Sequence, residues 1–282
     1  MAIIAFWRDG EKETGQTMSM MALSTYMATR QELKYRILNI STKFKSETLE
    51  RSYWNTVKMD KLVKSIVQDD EQIGVESGVE GLIKLITSNR TTADTVANYT
   101  KIIYKDKLDV LPAPQTQIYE EYVKTAQMYP NVIKNANRTY DLVFVDVAKT
   151  LPEEQRKQIL EIADVIVVNL SQRLAILNNF MKLRQENEFF RKNNIMLNIG
   201  RYDPHSKYNT KNITRFMNEK VEVHAIPYNT LFFEASAESS VPELFLRLIN
   251  LDEEDRNYVF IKEISRFSKD LVYKMQELQM QM

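Results

Sequence analysis

The order of short apolar runs is the feature that most constrains what this chain can fold into. Runs of strand length alternate with longer stretches in which apolar residues recur at helical spacing. The run Tyr140–Asp146 is nearly all apolar between polar ends, as expected of a strand buried on both faces of a sheet. This alternation is expected when helices join neighbouring parallel strands by right-handed crossovers. We therefore predict an α/β fold with a doubly wound, mainly parallel sheet of about seven strands flanked by helices.

The boundaries follow from the same pattern. The predicted strands are residues 2–7, 35–40, 107–111, 140–146, 164–170, 194–199 and 222–226, and the predicted helices are 15–33, 76–89, 117–136, 152–162 and 172–191. We expect one α/β domain over residues 1–250, with residues 43–106 as a helical lobe beside the sheet. Residues 251–282 are expected to form a C-terminal helical extension, because apolar residues from Val259 to Met275 recur at helix-like intervals.

Composition narrows the classes of function. The 282 residues include no cysteine, which excludes disulfides, thiolate catalysis and cysteine-ligated zinc. Lys plus Arg and Asp plus Glu both number 38, so no overall charge favours nucleic acid or an anionic membrane. No apolar stretch approaches the roughly 20 residues needed to span a bilayer, and the N-terminus lacks a basic leader. We expect a cytoplasmic protein that reaches a membrane only through partners.

A phosphate-loop pattern follows the first predicted strand. Residues Gly10–Thr17 match the order strand, G-x-x-x-x-G-K-[ST], helix, except that Gln16 stands in place of the lysine. In a working loop that lysine reaches the phosphates and the Ser or Thr holds magnesium. Glu11 and Glu13 add negative charge where a triphosphate would lie, and Lys12 offsets it only in part. The alternative is an ordinary strand-to-helix turn capped by a threonine.

Six segments in order along residues 2 to about 250 carry a family resemblance: Gly10–Thr17, Leu108–Pro114, Tyr140–Asp146, Ala163–Val168, Ile199–Tyr202 and Ile226–Asn229. In these segments the chain resembles the MinD/ParA group of P-loop proteins, and within it the CpaE/TadZ-type proteins of pilus and secretion systems. Members of the group typically bind ATP between two subunits. The resemblance implies a homodimer, Thr17 and Asp146 as magnesium ligands if Mg-ATP binds, and a nucleotide site made of Gly10, Thr14, Gly15, Gln16, Thr17, Asp146 and Arg201.

The chain departs from the family pattern at several positions. Gln16 replaces the loop lysine, and Glu11 falls where many members have a lysine that reaches across the dimer. Asn39–Ser41 stands where an Asp-x-Asp pair is expected, and Gly200 stands where the family often has an asparagine that reads adenine. Of the usual acidic residues only Asp146 remains. Since phosphoryl transfer depends on positioning and charge neutralisation, we expect little or no ATPase activity and weak binding of ATP with magnesium.

The leading hypothesis is a noncatalytic or weakly catalytic localisation or assembly factor for a pilus or secretion system, acting through protein contacts. One alternative is an active ATP-dependent switch of the ParA/MinD type that uses Gln16, Thr17 and Asp146 around magnesium. Another is a nucleic-acid-binding module centred on the basic and aromatic segment Arg201–Arg215. The balanced charge of the chain disfavours this last alternative.

Overall fold

Eight strands form one sheet in the part of the chain that the computed structural model describes, namely residues 1–10, 14–44, 48–54, 78–88, 95–218 and 222–280. They are β1 (Ala2–Trp7), β2 (Ile37–Ser41), β3 (Lys101–Tyr104), β4 (Leu108–Leu111), β5 (Leu142–Asp146), β6 (Val165–Leu170), β7 (Ile195–Tyr202) and β8 (Val223–Pro227). The order across the sheet is β3-β4-β2-β5-β1-β6-β7-β8. All neighbours are parallel except β3 and β4, which are antiparallel.

Helices cover both faces of this sheet. They are α1 (Gln16–Thr29), α2 (Thr48–Tyr53), α3 (Val79–Thr87), α4 (Tyr119–Ala136), α5 (Glu153–Ile162), α6 (Leu174–Glu186), α7 (Thr210–Phe216), α8 (Thr230–Glu238), α9 (Val241–Arg247) and α10 (Tyr258–Met280). Short 3-10 helices span Val96–Tyr99 and Glu188–Arg191. One core cluster joins the sheet to α4, α5 and α6, and the other joins it to α1, α8, α9 and α10.

Strand β1 shows why both faces are covered. Its residues are all buried and alternate between the two clusters, with Ile3 and Ala5 in one and Ile4 and Phe6 in the other. A strand with apolar side chains on both faces has to lie inside such a sheet. The predicted doubly wound, mainly parallel fold is therefore confirmed.

The edge strand β3 is the strand that the sequence pattern did not predict. It has four residues, and Ile102 on it is 63% exposed, so no buried apolar run marks it. It lies within residues 43–106, which we predicted as a helical lobe. The structure describes α2, α3 and a 3-10 helix in that segment, whereas residues 45–47, 55–77 and 89–94 lie outside the described part. The lobe as a whole stays a prediction.

Helix α10 packs against β8 and α1 at the end of the chain. Its buried residues belong to the same core cluster as α1, and Phe260, Phe267 and Leu271 are at most 2% exposed. His224 of β8 is buried against the helix, with its ring stacked on Phe267 at a centroid distance of 4.4 Å. None of the described helices is long and apolar enough to cross a membrane.

Candidate functional site

The loop between β1 and α1 lies at the carboxyl edge of the sheet, where open α/β folds place their ligands. Gly15 precedes α1 with a φ of 67°, a left-handed conformation that favours glycine. The N-cap residue is Gly15, which has no side chain, and among the described residues neither Thr14 nor Thr17 makes a capping bond, so the threonines do not serve as ordinary caps. Glu11, at the family's cross-dimer lysine position, lies in residues 11–13, outside the described part of the chain.

Asp146 is the centre of the site. It ends β5, is fully buried, and each of its carboxylate oxygens accepts a hydrogen bond from the loop. Gln16 donates to Oδ1 through its Nε2 at 2.6 Å, and Thr17 donates to Oδ2 through its Oγ1 at 2.7 Å. The structure therefore brings together three of the residues that the sequence pattern selected.

The Gln16 side chain is directed toward the ends of β1 and β5. Besides Asp146, its Nε2 donates to the carbonyl oxygens of Phe6 at 2.8 Å and Val147 at 3.0 Å. An amide nitrogen has two hydrogens, so three acceptors already exceed its capacity. Because Gln16 is also only 5% exposed, its side chain has no N–H group left for a phosphate and does not replace the lysine of a working loop.

Two cations lie just past the ends of the strands on either side of β5. Asp146 is in register with Phe6 of β1 and Ser41 of β2, and two residues beyond these lie Arg8 and Lys43. The Lys43 Nζ lies 3.0 Å from Asp146 Oδ2 and also contacts Thr17 Oγ1. Burial lowers the pKa of Arg8 from its ordinary value, and the charge of Asp146 partly offsets this effect.

Neither cation was predicted from the sequence. Both can be located from the register of the adjacent parallel strands β1, β5 and β2, because residues that follow the ends of aligned strands lie close together. The pairing of β1, β5 and β2 was not available from the pattern of apolar runs, because that pattern does not give strand order.

Thr42 fixes the segment that carries Lys43. Its backbone N–H donates to the carbonyl oxygen of Asp146 at 3.1 Å, and its hydroxyl donates to the same oxygen at 2.9 Å. The hydroxyl also accepts from the N–H of Ala148 at 2.9 Å, and Tyr122 donates to the Thr42 carbonyl at 2.5 Å. The backbone that precedes Lys43 is therefore held by hydrogen bonds to the end of β5.

The oxygens expected to bind magnesium do not fit that ion in this arrangement. Magnesium requires oxygen ligands in near-octahedral geometry at about 2.0–2.1 Å. Thr17 Oγ1 and Asp146 Oδ2 bind each other, and both contact the ammonium group of Lys43. A magnesium ion held by these two oxygens would lie against a positive charge. The predicted magnesium role of Thr17 and Asp146 is thus not supported by the geometry.

The end of β7 packs directly on the loop. A Cβ at Gly200 would lie 2.1 Å from the carbonyl oxygen of Thr14 and 3.0 Å from Ser19 Oγ, so only glycine fits there. Arg201 has a φ of 51°, and its Cγ would lie 2.8 Å from a Cβ at Gly15. The glycine that departs from the family pattern thus permits the close approach of β7 to the loop.

A cleft of about 310 Å³ opens above these residues. One part is lined by the loop and by three cationic side chains, those of Arg8, Lys43 and Arg201. The other part is largely apolar and includes Tyr228 and Phe233, whose side chains are 50% and 52% exposed. A cationic part next to an aromatic part suits a ligand that carries both phosphate and a planar base.

The remaining predicted residues lie in different places. Thr14 is buried, and its Oγ1 has no hydrogen-bond partner within the described residues, whereas Gly10 accepts a hydrogen bond from Lys149 at 3.3 Å. The segment Arg201–Arg215 is divided, because Arg201 lines the cleft while Lys207 and Tyr208 line a separate groove against α6 and α7. Within the described part of the chain, no group of His, Asp and Glu side chains could hold a metal ion.

Neither the known protein-family models nor the curated protein sequences give a match to this chain. Several solved structures are similar to this chain. A ParA family ATPase from Chlorobium tepidum is 16% identical with a TM-score of 0.67, over 95% of this chain and 98% of that one. The septum site-determining protein MinD of Pyrococcus horikoshii, complexed with Mg-ADP, is 15% identical with a TM-score of 0.62, and the likeness covers 97% of this chain and 98% of that one.

The MinC:MinD cell division protein complex of Aquifex aeolicus is similar at 14% identity and a TM-score of 0.58, over 96% of both chains. These likenesses extend over nearly whole chains, and the strands and loop described above occur in the order that the resemblance implied. The chain has the α/β fold of the MinD and ParA ATPases.

Proposed function

We propose that the chain is a noncatalytic or weakly catalytic ATPase-like protein that binds a nucleotide in the cleft and acts through protein contacts. The observation that carries this proposal is the set of hydrogen bonds made by the Gln16 side-chain amide, which donates to Asp146, Phe6 and Val147. A neutral group in that position stabilises no charge on a transferring phosphoryl group. Loss of about 4 kcal/mol of transition-state stabilisation slows a reaction roughly a thousandfold.

Nucleotide binding is supported by the charge and shape of the cleft. Arg8, Lys43 and Arg201 line one part, and the N-terminus of α1 adds backbone N–H groups. The aromatic residues Tyr228 and Phe233 in the other part offer faces on which a base can stack. We propose the cleft as the nucleotide site, with Gly15, Thr17 and Arg201 among the residues that contact the ligand.

The cellular role that we propose is localisation or assembly at a pilus or secretion system, in the cytoplasm and with recruitment to the membrane through partners. The support for it is the resemblance to CpaE/TadZ-type proteins in the six sequence segments. MinD of Aquifex aeolicus is seen in a complex with MinC, so a protein of this fold can work by binding another protein. Deletion of the gene should reduce piliation or secretion, and unchanged piliation and secretion would contradict the role.

The test of the catalytic claim is phosphate release from ATP with magnesium by the purified protein. We expect the wild type to release no more phosphate than Asp146→Ala, in which the buried carboxylate is removed. Turnover that the wild type shows and Asp146→Ala abolishes would instead support the alternative, an active ParA/MinD-type switch. The observation that favours this alternative is the set of three cationic side chains in the cleft, which can neutralise a triphosphate.

A further inference from the structure

We infer that the cleft takes a nucleoside diphosphate or triphosphate without a divalent cation, because the ammonium group of Lys43 stands where the metal ion would be bound. This inference rests on the proposed nucleotide site and adds to it the form of the ligand. Metal-dependent phosphate sites of this type use a loop hydroxyl and a strand-end carboxylate around the ion. In this chain the ammonium group of Lys43 contacts both the loop hydroxyl of Thr17 and the carboxylate of Asp146.

The two groups that would hold a metal ion, Asp146 and Thr17, are already bonded to protein donors. Asp146 Oδ2 accepts from Thr17 at 2.7 Å and from Lys43 at 3.0 Å, while Oδ1 accepts from Gln16 at 2.6 Å. Thr17 Oγ1 in turn accepts from Lys43. Because Asp146 is fully buried, its charge needs a partner from the protein, and Lys43 provides it.

The position of Lys43 leaves it able to meet a ligand. Its side chain is 27% exposed, in contrast to the buried carboxylate, and it lines the cleft. The three donors of an ammonium group can bridge Asp146, Thr17 and a phosphate oxygen at the same time. The backbone before it is fixed by Thr42, so the contact does not depend on a free loop.

The charge of Lys43 also bears on the form of the ligand. Lys43 lines the cleft and is held against the carboxylate of Asp146. A nucleotide that arrives with its own magnesium ion would place two more positive charges against Lys43. The site therefore favours the metal-free nucleotide.

The first measurement is the Kd of ATP and of ADP by calorimetry, once with excess magnesium and once with excess EDTA. We expect binding in EDTA to be at least as tight as binding in magnesium. Inorganic tripolyphosphate titrated in EDTA separates a phosphate site from a nucleotide site. If the aromatic part of the cleft contributes, tripolyphosphate should bind at least about tenfold more weakly than ATP, and equal binding would contradict the assignment of a nucleotide.

The second measurement compares Lys43→Asn with a matched control, Lys157→Asn, which changes a lysine on α5 whose side chain is 77% exposed. We expect Lys43→Asn to weaken ATP binding in EDTA at least about tenfold and to make binding dependent on magnesium. The control should bind like the wild type. Lys43→Arg keeps a cation and guards against a folding defect, so it should retain binding in EDTA.

A spectroscopic test follows the metal itself. Manganese added with ATP should give no signal of protein-bound metal in the wild type and a clear one in Lys43→Asn, because that change releases the two oxygens. If ATP binds to the wild type only with magnesium, the metal-free ligand is wrong but the proposed nucleotide site stands.

If no nucleotide binds in either buffer, both the inference and the proposed nucleotide site fail. Phosphate release from ATP would overturn only the noncatalytic assignment.

Discussion

Replacement of Gly200 by alanine tests the account of how β7 and the loop are joined. A Cβ there would lie 2.1 Å from the backbone carbonyl oxygen of Thr14, about 1 Å closer than such atoms approach one another. The contacted atom is backbone, so relief requires the loop and the strand to move apart. Overpacking of this kind costs about 1–3 kcal/mol, and we expect a value near 3 kcal/mol.

The expected change in thermal stability follows from chain length. For 282 residues the entropy of unfolding is roughly 0.6 kcal/mol/K, so Gly200→Ala should lower the Tm by about 5 °C. Calorimetry or circular dichroism measures this. The matched control is Gly10→Ala, where φ is +68° but the nearest atom among the described residues is 3.5 Å from an added Cβ. Its cost should be that of the left-handed backbone alone, about 1–2 kcal/mol.

If Gly200→Ala is no more destabilising than Gly10→Ala, the reasoning about the close approach is refuted. The same result would leave the Gly200 departure from the family pattern without a structural reason. A clearly larger loss in Gly200→Ala than in Gly10→Ala would instead show that the strand end supports the loop.

Three further results are expected. Burial lowers the pKa of His224 to about 4 although Asp270 lies 3.7 Å away. The contribution of His224 to the free energy of unfolding should therefore be constant above about pH 6.5 and fall by up to about 3 kcal/mol as the pH decreases to 4. Urea titrations of His224→Leu should lack this part of the pH dependence. Gln16→Leu leaves a buried carboxylate oxygen and two carbonyl oxygens without the Gln16 donor, so the free energy of unfolding in urea titration should fall by about 3 kcal/mol. An unchanged unfolding midpoint would contradict the geometry. Arg201→Glu reverses a charge in the cleft and should raise the Kd of ATP at least about tenfold in calorimetry, while Lys211→Glu on α7 should not change it.

The strands that lie inside the sheet could be predicted from the sequence because their apolar runs are continuous. Strand β5 is an example, since all five of its residues are buried. Strand β3 could not be predicted because an edge strand with an exposed isoleucine carries no such run. The predicted helix 172–191 includes the end of α6, where the Asn187 side chain accepts from Phe189 N–H and starts a 3-10 helix instead.

The candidate site was predicted in part for a similar reason. Gln16, Thr17 and Asp146 follow from spacing within the loop and from the end of one strand, which are local features. Lys43 reaches Asp146 only because β2 and β5 are neighbours, and that is a property of sheet order. Long-range pairing of this type leaves no periodic signal in the chain.

The most direct test of the central claim is a single-turnover experiment with γ-labelled ATP and an excess of protein. The protein is incubated with nucleotide and magnesium, the bound fraction is isolated, and its nucleotide is identified by chromatography. We predict that ATP is recovered intact, since the Gln16 side chain offers no charge or free donor to the γ-phosphate. Recovery of ADP and free phosphate from the wild type, but not from Asp146→Ala, would contradict the account.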